Sequence, residues 1–167
     1  QRVTVLDEYG THREVSIPAE RALTVFVDRR ELVTLMTLGA APELLVLGYL
    51  RNQRLVTSLD QVESVTVDWE GQAAAVKTRG GIADLERKTA RRVVTTGCGQ
   101  GTVFGDLMDD LDAVRLPPPD LASARLSQAA LYGLLDAVRL QESTYKSAGS
   151  VHGCALFRQD ELLLFVE

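Results

Sequence analysis

The sequence is poor in the residues that usually advertise chemistry. Among 167 residues there are two cysteines, two histidines and one tryptophan, and aromatics make up 5% of the chain. Two cysteines far apart, Cys98 and Cys154, do not make the disulfide framework of a small secreted domain, so a reducing cytoplasm is the expected compartment. No apolar run approaches the ~18–20 residues that cross a bilayer. The start, Gln1-Arg2-Val3-Thr4-Val5, has neither a Met nor the apolar stretch of a signal peptide. No membrane contact is therefore expected. A net charge of −5 gives no global basic field for duplex nucleic acid. Arg87-Lys88 and Arg91-Arg92 are the local exception and read as a solvated face. No nucleophile-elbow signature is present, and no internal repeat. What remains, 46% hydrophobic and 25% charged residues, fits a globular protein of one domain or one domain plus part of another.

The pattern of apolar residues is mostly that of strands. Arg2–Leu6 and Arg13–Ile17 alternate around Glu8-Tyr9-Gly10 and read as a hairpin. Ala22–Val27 and Glu31–Met36 read as a second hairpin about the charged turn Asp28-Arg29-Arg30. Its first strand, apolar at nearly every position, belongs in the middle of a sheet. Pro42-Glu43 opens a helix toward Leu50, with proline and an acid in the first turn. Ser64–Trp69 and Ala73–Lys77 predict two more strands, and Arg91–Thr95 a short one. Val103–Leu111 predicts a short helix through Phe104, Leu107, Met108 and Leu111. Leu116-Pro117-Pro118-Pro119-Asp120 is a spacer, because successive prolines lack donors. Ser127 caps an amphipathic helix to about Leu140, with Ala130, Leu131, Leu134, Leu135 and Val138 as its apolar face. Gly153–Phe157 and Leu162–Val166 close the chain as a third hairpin. So apolar a last strand ordinarily feeds another element, so the chain is expected to continue beyond Glu167.

Chemistry concentrates in two places. Thr96-Gly97-Cys98-Gly99-Gln100-Gly101-Thr102 sets a thiol among three glycines just after a predicted strand. Glycines leave no side chain to crowd an approaching group, and backbone N–H donors around a mobile thiol favour the nucleophilic thiolate. Such a loop can also cradle a phosphate. It is not the dinucleotide fingerprint, because Thr102 stands where the third glycine belongs. The second place is Tyr145–Cys154, where Lys146 and the hydroxyls of Ser147 and Ser150 suit an anion. His152 there can serve as acid, base or cationic partner to a thiolate, or simply hydrogen-bond a carbonyl at a strand entry. Cys98, His152 and Cys154 match no standard zinc spacing and show no fourth ligand, so no metal site is expected. Cys154, alternating along a strand, is expected to be buried packing.

Taken in order, these segments resemble the formate dehydrogenase accessory protein family, FdhD, also called NarQ. Family members carry a Thr-Gly-Cys-Gly-x-Cys-Gly loop, here Thr96–Gly101, and a Gly-x-x-His-Ala-Ala-like segment, here Gly149–Leu156. The second hairpin and Pro42–Leu50 look like the family's first hairpin and its Leu-Glu-x-x-Ala-Leu-Gly-Phe-Leu helix. The resemblance implies an α+β protein: a strand-rich region over 1–90, then over 91–167 the glycine-loop cysteine and the incomplete start of a cytidine-deaminase-like α/β domain. It implies a sulfurtransferase that accepts persulfide sulfur from a cysteine desulfurase. The sulfur goes to the molybdenum or tungsten bis(molybdopterin guanine dinucleotide) cofactor of the formate dehydrogenase catalytic subunit. Cys98 would carry the sulfur. Gly97, Gly99, Gly101, Lys146, Gly149, Ser150 and His152 would hold the cofactor, or a guanine nucleotide mimicking it. Family members look dimeric, so a homodimer is expected. Two departures stand out. Gly101 replaces the family's second loop cysteine, which rules out a relay between paired thiols there, and Gln53-Arg54 replace the Glu-Gly often found after the first helix. Rival readings are a non-catalytic chaperone that binds and delivers the molybdopterin guanine nucleotide, and a structural adaptor for the dehydrogenase.

Overall fold

The computed structural model describes residues 1–94, 101–105, 115, 118 and 125–167, and the chain is a mixed α+β protein. Residues 21–116 form one compact unit, and residues 1–20 with 117–167 another.

The first of these is built on a four-stranded sheet of order β4-β3-β6-β5. Strand β3 (Arg21–Val27) lies inside it, as its apolar run predicts, with Leu23, Val25 and Val27 fully buried. It pairs antiparallel with β4 (Arg30–Thr37) through a two-residue turn, Asp28-Arg29. Both turn residues have left-handed φ, 47° and 72°, as the turn that matches strand twist requires. A bulge in β4 opposite Val25 and Phe26 lets neighbouring Leu32 and Val33 both be buried. On its other side β3 runs parallel to β6 (Ala73–Thr78), which pairs antiparallel with the edge strand β5 (Val62–Asp68). The Asp28 carboxylate accepts from the Thr78 amide at 2.9 Å and its hydroxyl at 2.6 Å, fastening the β3–β4 turn to the end of β6.

Helix α1 (Pro42–Asn52) begins as predicted, with Pro42 and Glu43 in its first turn. Val46, Tyr49 and Leu50, at helical spacing, supply its buried face. They join the sheet side chains in one apolar cluster that also takes in Leu55, Val56 and Phe104. A short helix, α2 (Leu85–Thr89), precedes the hairpin of β7 (Arg92–Val94) and β8 (Thr102–Phe104). This hairpin corrects one expectation. Val103 and Phe104 belong to a strand rather than to the start of a helix, because Arg92 and Val93 pair with them across the ladder. Residues 106–111, the rest of that predicted helix, lie outside the described residues.

The second unit holds the hairpin of β1 (Arg2–Leu6) and β2 (His12–Ser16), helices α3 (Gln128–Arg139) and α4 (Thr144–Ala148), and the hairpin of β9 (Cys154–Arg158) and β10 (Glu161–Val166). Ser127 caps α3 as predicted, its hydroxyl accepting from the Ala130 amide at 3.1 Å. Its apolar face is divided, with Leu134 and Val138 half-buried. Leu131, Tyr132 and Leu135 are exposed, and the fully buried apolar residues of the described chain all fall within residues 23–104.

The two units should therefore answer truncation differently. Leu50→Ala should cost about 2–5 kcal/mol by urea denaturation, the range for emptying a packed leucine site. Leu135→Ala, at 45% exposure, should stay within about 0.5 kcal/mol.

Candidate functional site: the frame of the cysteine segment and the Lys146–His152 turn

Cys98, Gly97 and Gly99 lie outside the described residues. The structure gives the frame on either side of them. Val94 and Thr102 are register partners, Val93 faces Val103, and Arg92 faces Phe104. One pair further out, the Gly105 amide donates to the Arg91 carbonyl at 2.8 Å. Antiparallel ladders alternate pairs that exchange both bonds with pairs whose polar groups point outward. Arg91–Gly105 and Val93–Val103 are thus the exchanging pairs, and Thr102 and Phe104 turn their backbone groups away from β7.

Those outward groups meet side chains of α1. The Tyr49 hydroxyl donates to the Thr102 carbonyl at 2.8 Å, and the Phe104 amide donates to Gln53 Oε1 at 3.0 Å. Gln53, one turn after Tyr49, is a buried polar residue just past the helix end. The Tyr49 and Phe104 rings meet edge-to-face with centroids 6.4 Å apart. Helix α1 therefore supplies to β8 what a neighbouring strand would otherwise supply, and it fixes the strand that follows the cysteine segment. Burial pushes the Tyr49 phenol up to about 12, against a smaller downward pull from the Arg92 guanidinium, so the hydroxyl keeps its donor proton at neutral pH. Gly101, at φ 65°, has open space where a Cβ would stand. Sequence reasoning missed Tyr49 and Gln53 as positioning residues. The available signal was two hydrogen-bonding side chains four residues apart on the same face of an apolar helix.

The remaining candidates sit in the other unit. Lys146 is on α4, and Gly149, Ser150 and His152 follow before β9. Ser143 caps α4 by accepting from the Lys146 amide at 3.2 Å. Gly149 takes φ 67° and ψ −171°, a region open essentially to glycine alone, and Ser150 continues with φ 57°. The chain is thereby turned sharply away from the helix. Lys146, Ser150 and His152 are exposed. Lys146 Nζ lies 3.8 Å from the Glu142 carboxylate, a loose surface pair that an incoming anion can displace. The Ser147 hydroxyl, expected to face an anion, instead donates to the Thr144 carbonyl at 3.1 Å. Cys154 is exposed rather than buried, because its two-stranded hairpin leaves that position open.

The Glu167 carboxylate accepts from the Thr144 and Tyr145 amides and so holds the first turn of α4. Slight burial pushes its carboxyl up, but the hydrogen bonds from Tyr145 and Thr144 outweigh this and hold it below the usual range. Among the described residues no helix is long and apolar enough to cross a membrane.

Known proteins share this mixed α+β fold. The chain matches the model of the FdhD/NarQ family over residues 18–167 and belongs to that family. A sulfur carrier protein FdhD from Halalkalibacterium halodurans is 22% identical over 97% of this chain and 59% of its own length. The one from Listeria monocytogenes is 25% identical over 93% of the chain and 60% of its own length. That of Bacillus subtilis is 26% identical over 87% and 54%. A crystal structure described as a formate dehydrogenase accessory protein, from Desulfotalea psychrophila, superposes with a TM-score of 0.63 at 14% identity. It covers 99% of this chain and 59% of the other, and it shows a shared fold. The chain thus spans about three-fifths of the length of the relatives it matches.

Three outcomes follow from these contacts. The Tyr49 phenol has a higher pKa folded than the ordinary 10.0, so its contribution is complete below about pH 10 and lost as pH rises toward 12. Tyr49→Phe should flatten that alkaline loss of stability. Gln53→Leu should cost about 1–3 kcal/mol at all pH values by leaving the Phe104 amide without an acceptor. At the other end of the scale, Glu167 titrates lower in the folded chain than unfolded. Its cap is intact above the ordinary carboxylate range and is lost as pH falls through the depressed value. Amide exchange at Thr144 and Tyr145, corrected for intrinsic rates, should accelerate on acidification in the parent chain and not in Glu167→Gln.

Proposed function

We propose that this chain is a sulfur carrier in the maturation of formate dehydrogenase, with Cys98 as the residue that bears the sulfur. The observation that carries the reading is the family match over residues 18–167, which contain one thiol in the glycine segment between Val94 and Thr102. In the acceptance step the Cys98 thiolate attacks the outer sulfur of a persulfide on a cysteine desulfurase. A new S–S bond forms, the donor's S–S bond breaks, and the donor cysteine leaves as its thiolate. No net oxidation occurs. The outer sulfur is then handed to the molybdenum or tungsten bis(molybdopterin guanine dinucleotide) cofactor, which is the substrate. The S–S bond on Cys98 breaks, Cys98 leaves as its thiolate, and the reduced metal of that substrate would supply the two electrons that convert the sulfane sulfur to a sulfido ligand.

Gly97, Gly99 and Gly101 leave room around the sulfur for that substrate, and Lys146, Gly149, Ser150 and His152 are assigned to its anionic portion. The exposure of Lys146, Ser150 and His152 and the turn forced by Gly149 support that assignment. In this reading the chain acts in the cytoplasm as a homodimer alongside the dehydrogenase catalytic subunit. Residues 91–167 then open a layer of cytidine-deaminase type. One departure favours a second reading. Gly101 stands where family members have a second cysteine, so a chaperone that binds the guanine dinucleotide without carrying sulfur fits the same residues.

Incubation with a cysteine desulfurase and free cysteine, followed by intact mass measurement, separates the two. The carrier reading expects one added sulfur, reversed by reductant and absent from Cys98→Ala. Guanosine diphosphate binding with no added sulfur would leave the chaperone. Equal sulfur on the Cys98→Ala chain would remove Cys98 from its role.

A further inference from the structure

Strand β7 is the exposed half of the hairpin that frames the cysteine segment. All three of its residues are exposed, with Val93 at 45% and Val94 at 73%, whereas Val103 and Phe104 opposite are buried. The alternation that aims Thr102 and Phe104 at α1 aims the N–H and C=O of Arg92 and Val94 the other way. Among the described residues β7 pairs with β8 alone, and no hydrogen bond reaches those outward groups. One side of the hairpin is closed by Tyr49 and Gln53; on the other, no described residue pairs with the strand edge. Such an edge is a template for one more strand.

The side chains along that edge select what can be added. Arg92 and Val94 share one face of the strand, and Val93 lies on the other. The Arg92 guanidinium makes no ion pair among the described residues. Lys88 on α2 adds positive charge a few residues upstream, and Arg87 does so while pairing with Asp84 at 3.7 Å. This is a basic stretch in a chain of net charge −5. An added strand therefore gains most from apolar residues opposite Val94 and Val93 and a carboxylate opposite Arg92.

A second copy of the chain is the poorer occupant. Antiparallel pairing of two β7 edges sets Arg92 opposite its own counterpart or opposite Val94. Either way two guanidinium groups sit on the shared edge with no carboxylate between them, and like charges directly opposite are destabilising.

We propose that the outer edge of β7 docks an extended segment of a partner protein whose sequence runs apolar, apolar, acidic, added antiparallel as a third strand. Main-chain bonds from Arg92 and Val94 supply the adhesion, and Arg92 with the two valines supplies the selection. The surface does not depend on the sulfur-carrier reading, since it rests on backbone and charge alone.

The test uses the 167-residue chain and a fluorescent, end-blocked peptide containing two valines followed by two glutamates, with anisotropy and amide exchange as readouts. Binding should slow exchange at Arg92 and Val94 and leave the Val93 amide, already in the ladder, unchanged. Arg92→Glu should weaken binding by about tenfold or more, and should favour the same peptide with lysines in place of the glutamates. Val94→Pro should weaken it similarly, because the ring removes an outward donor and leaves the ladder pairs intact. Arg92→Glu keeps the test decisive if the proline chain does not fold. Equal binding to both variants, or protection confined to other strands, would overturn the proposal. So would self-association that the peptide disrupts, which would give the edge to a second copy.

Discussion

The hydrogen bond that Tyr49 donates to the backbone of β8 and the one that Gln53 accepts from it are the constraint on which the frame of the candidate site depends. Unpaired N–H and C=O groups are costly to bury, and Phe104 is buried. Without an acceptor from α1, the strand following the cysteine segment would have to expose Phe104 or strand its amide in an apolar cluster. With it, the helix that completes the sheet core also fixes β8, the strand that follows the cysteine segment in sequence. The register between Val94 and Thr102 is held by β7 and β8 themselves together with α1.

Much of this was legible in the chain itself. The three expected hairpins form, α1 begins at Pro42, and Ser127 caps α3. Each has a local cause: alternation, a proline with its acid, a hydroxyl three residues before the amide it caps. What local pattern could not reveal was a partner distant in sequence. Val103 and Phe104 carry helical spacing with the residues that follow, yet Gln53 and Tyr49, some 50 positions upstream, make them a strand. The apolar stripe of α3 is divided, Leu134 and Val138 half-buried and Leu131 and Leu135 exposed, since burial depends on the surface each position meets. The exposed Cys154 fails for the same reason. Among the described residues its strand pairs with β10 alone.

The site residues divide along the same line. The cysteine and the lysine–histidine turn announce themselves by composition, whereas their supports are ordinary residues whose roles appear in the folded chain. Gly149 is the intermediate case: its φ and ψ explain why a glycine stands there, and the turn it makes delivers Ser150 and His152 to solvent. The chain belongs to the FdhD/NarQ family, whose model matches residues 18–167.

Hydrogen exchange at the Phe104 amide addresses the clamp most directly, because this proton is the one that Gln53 holds. Exchange as slow as that of the β3 core amides, and released with them on adding denaturant, is the result expected of a strand locked to α1. Rapid exchange at Phe104 while Leu23 and Val25 stay protected would contradict it, and would leave the cysteine segment without the fixed frame described above.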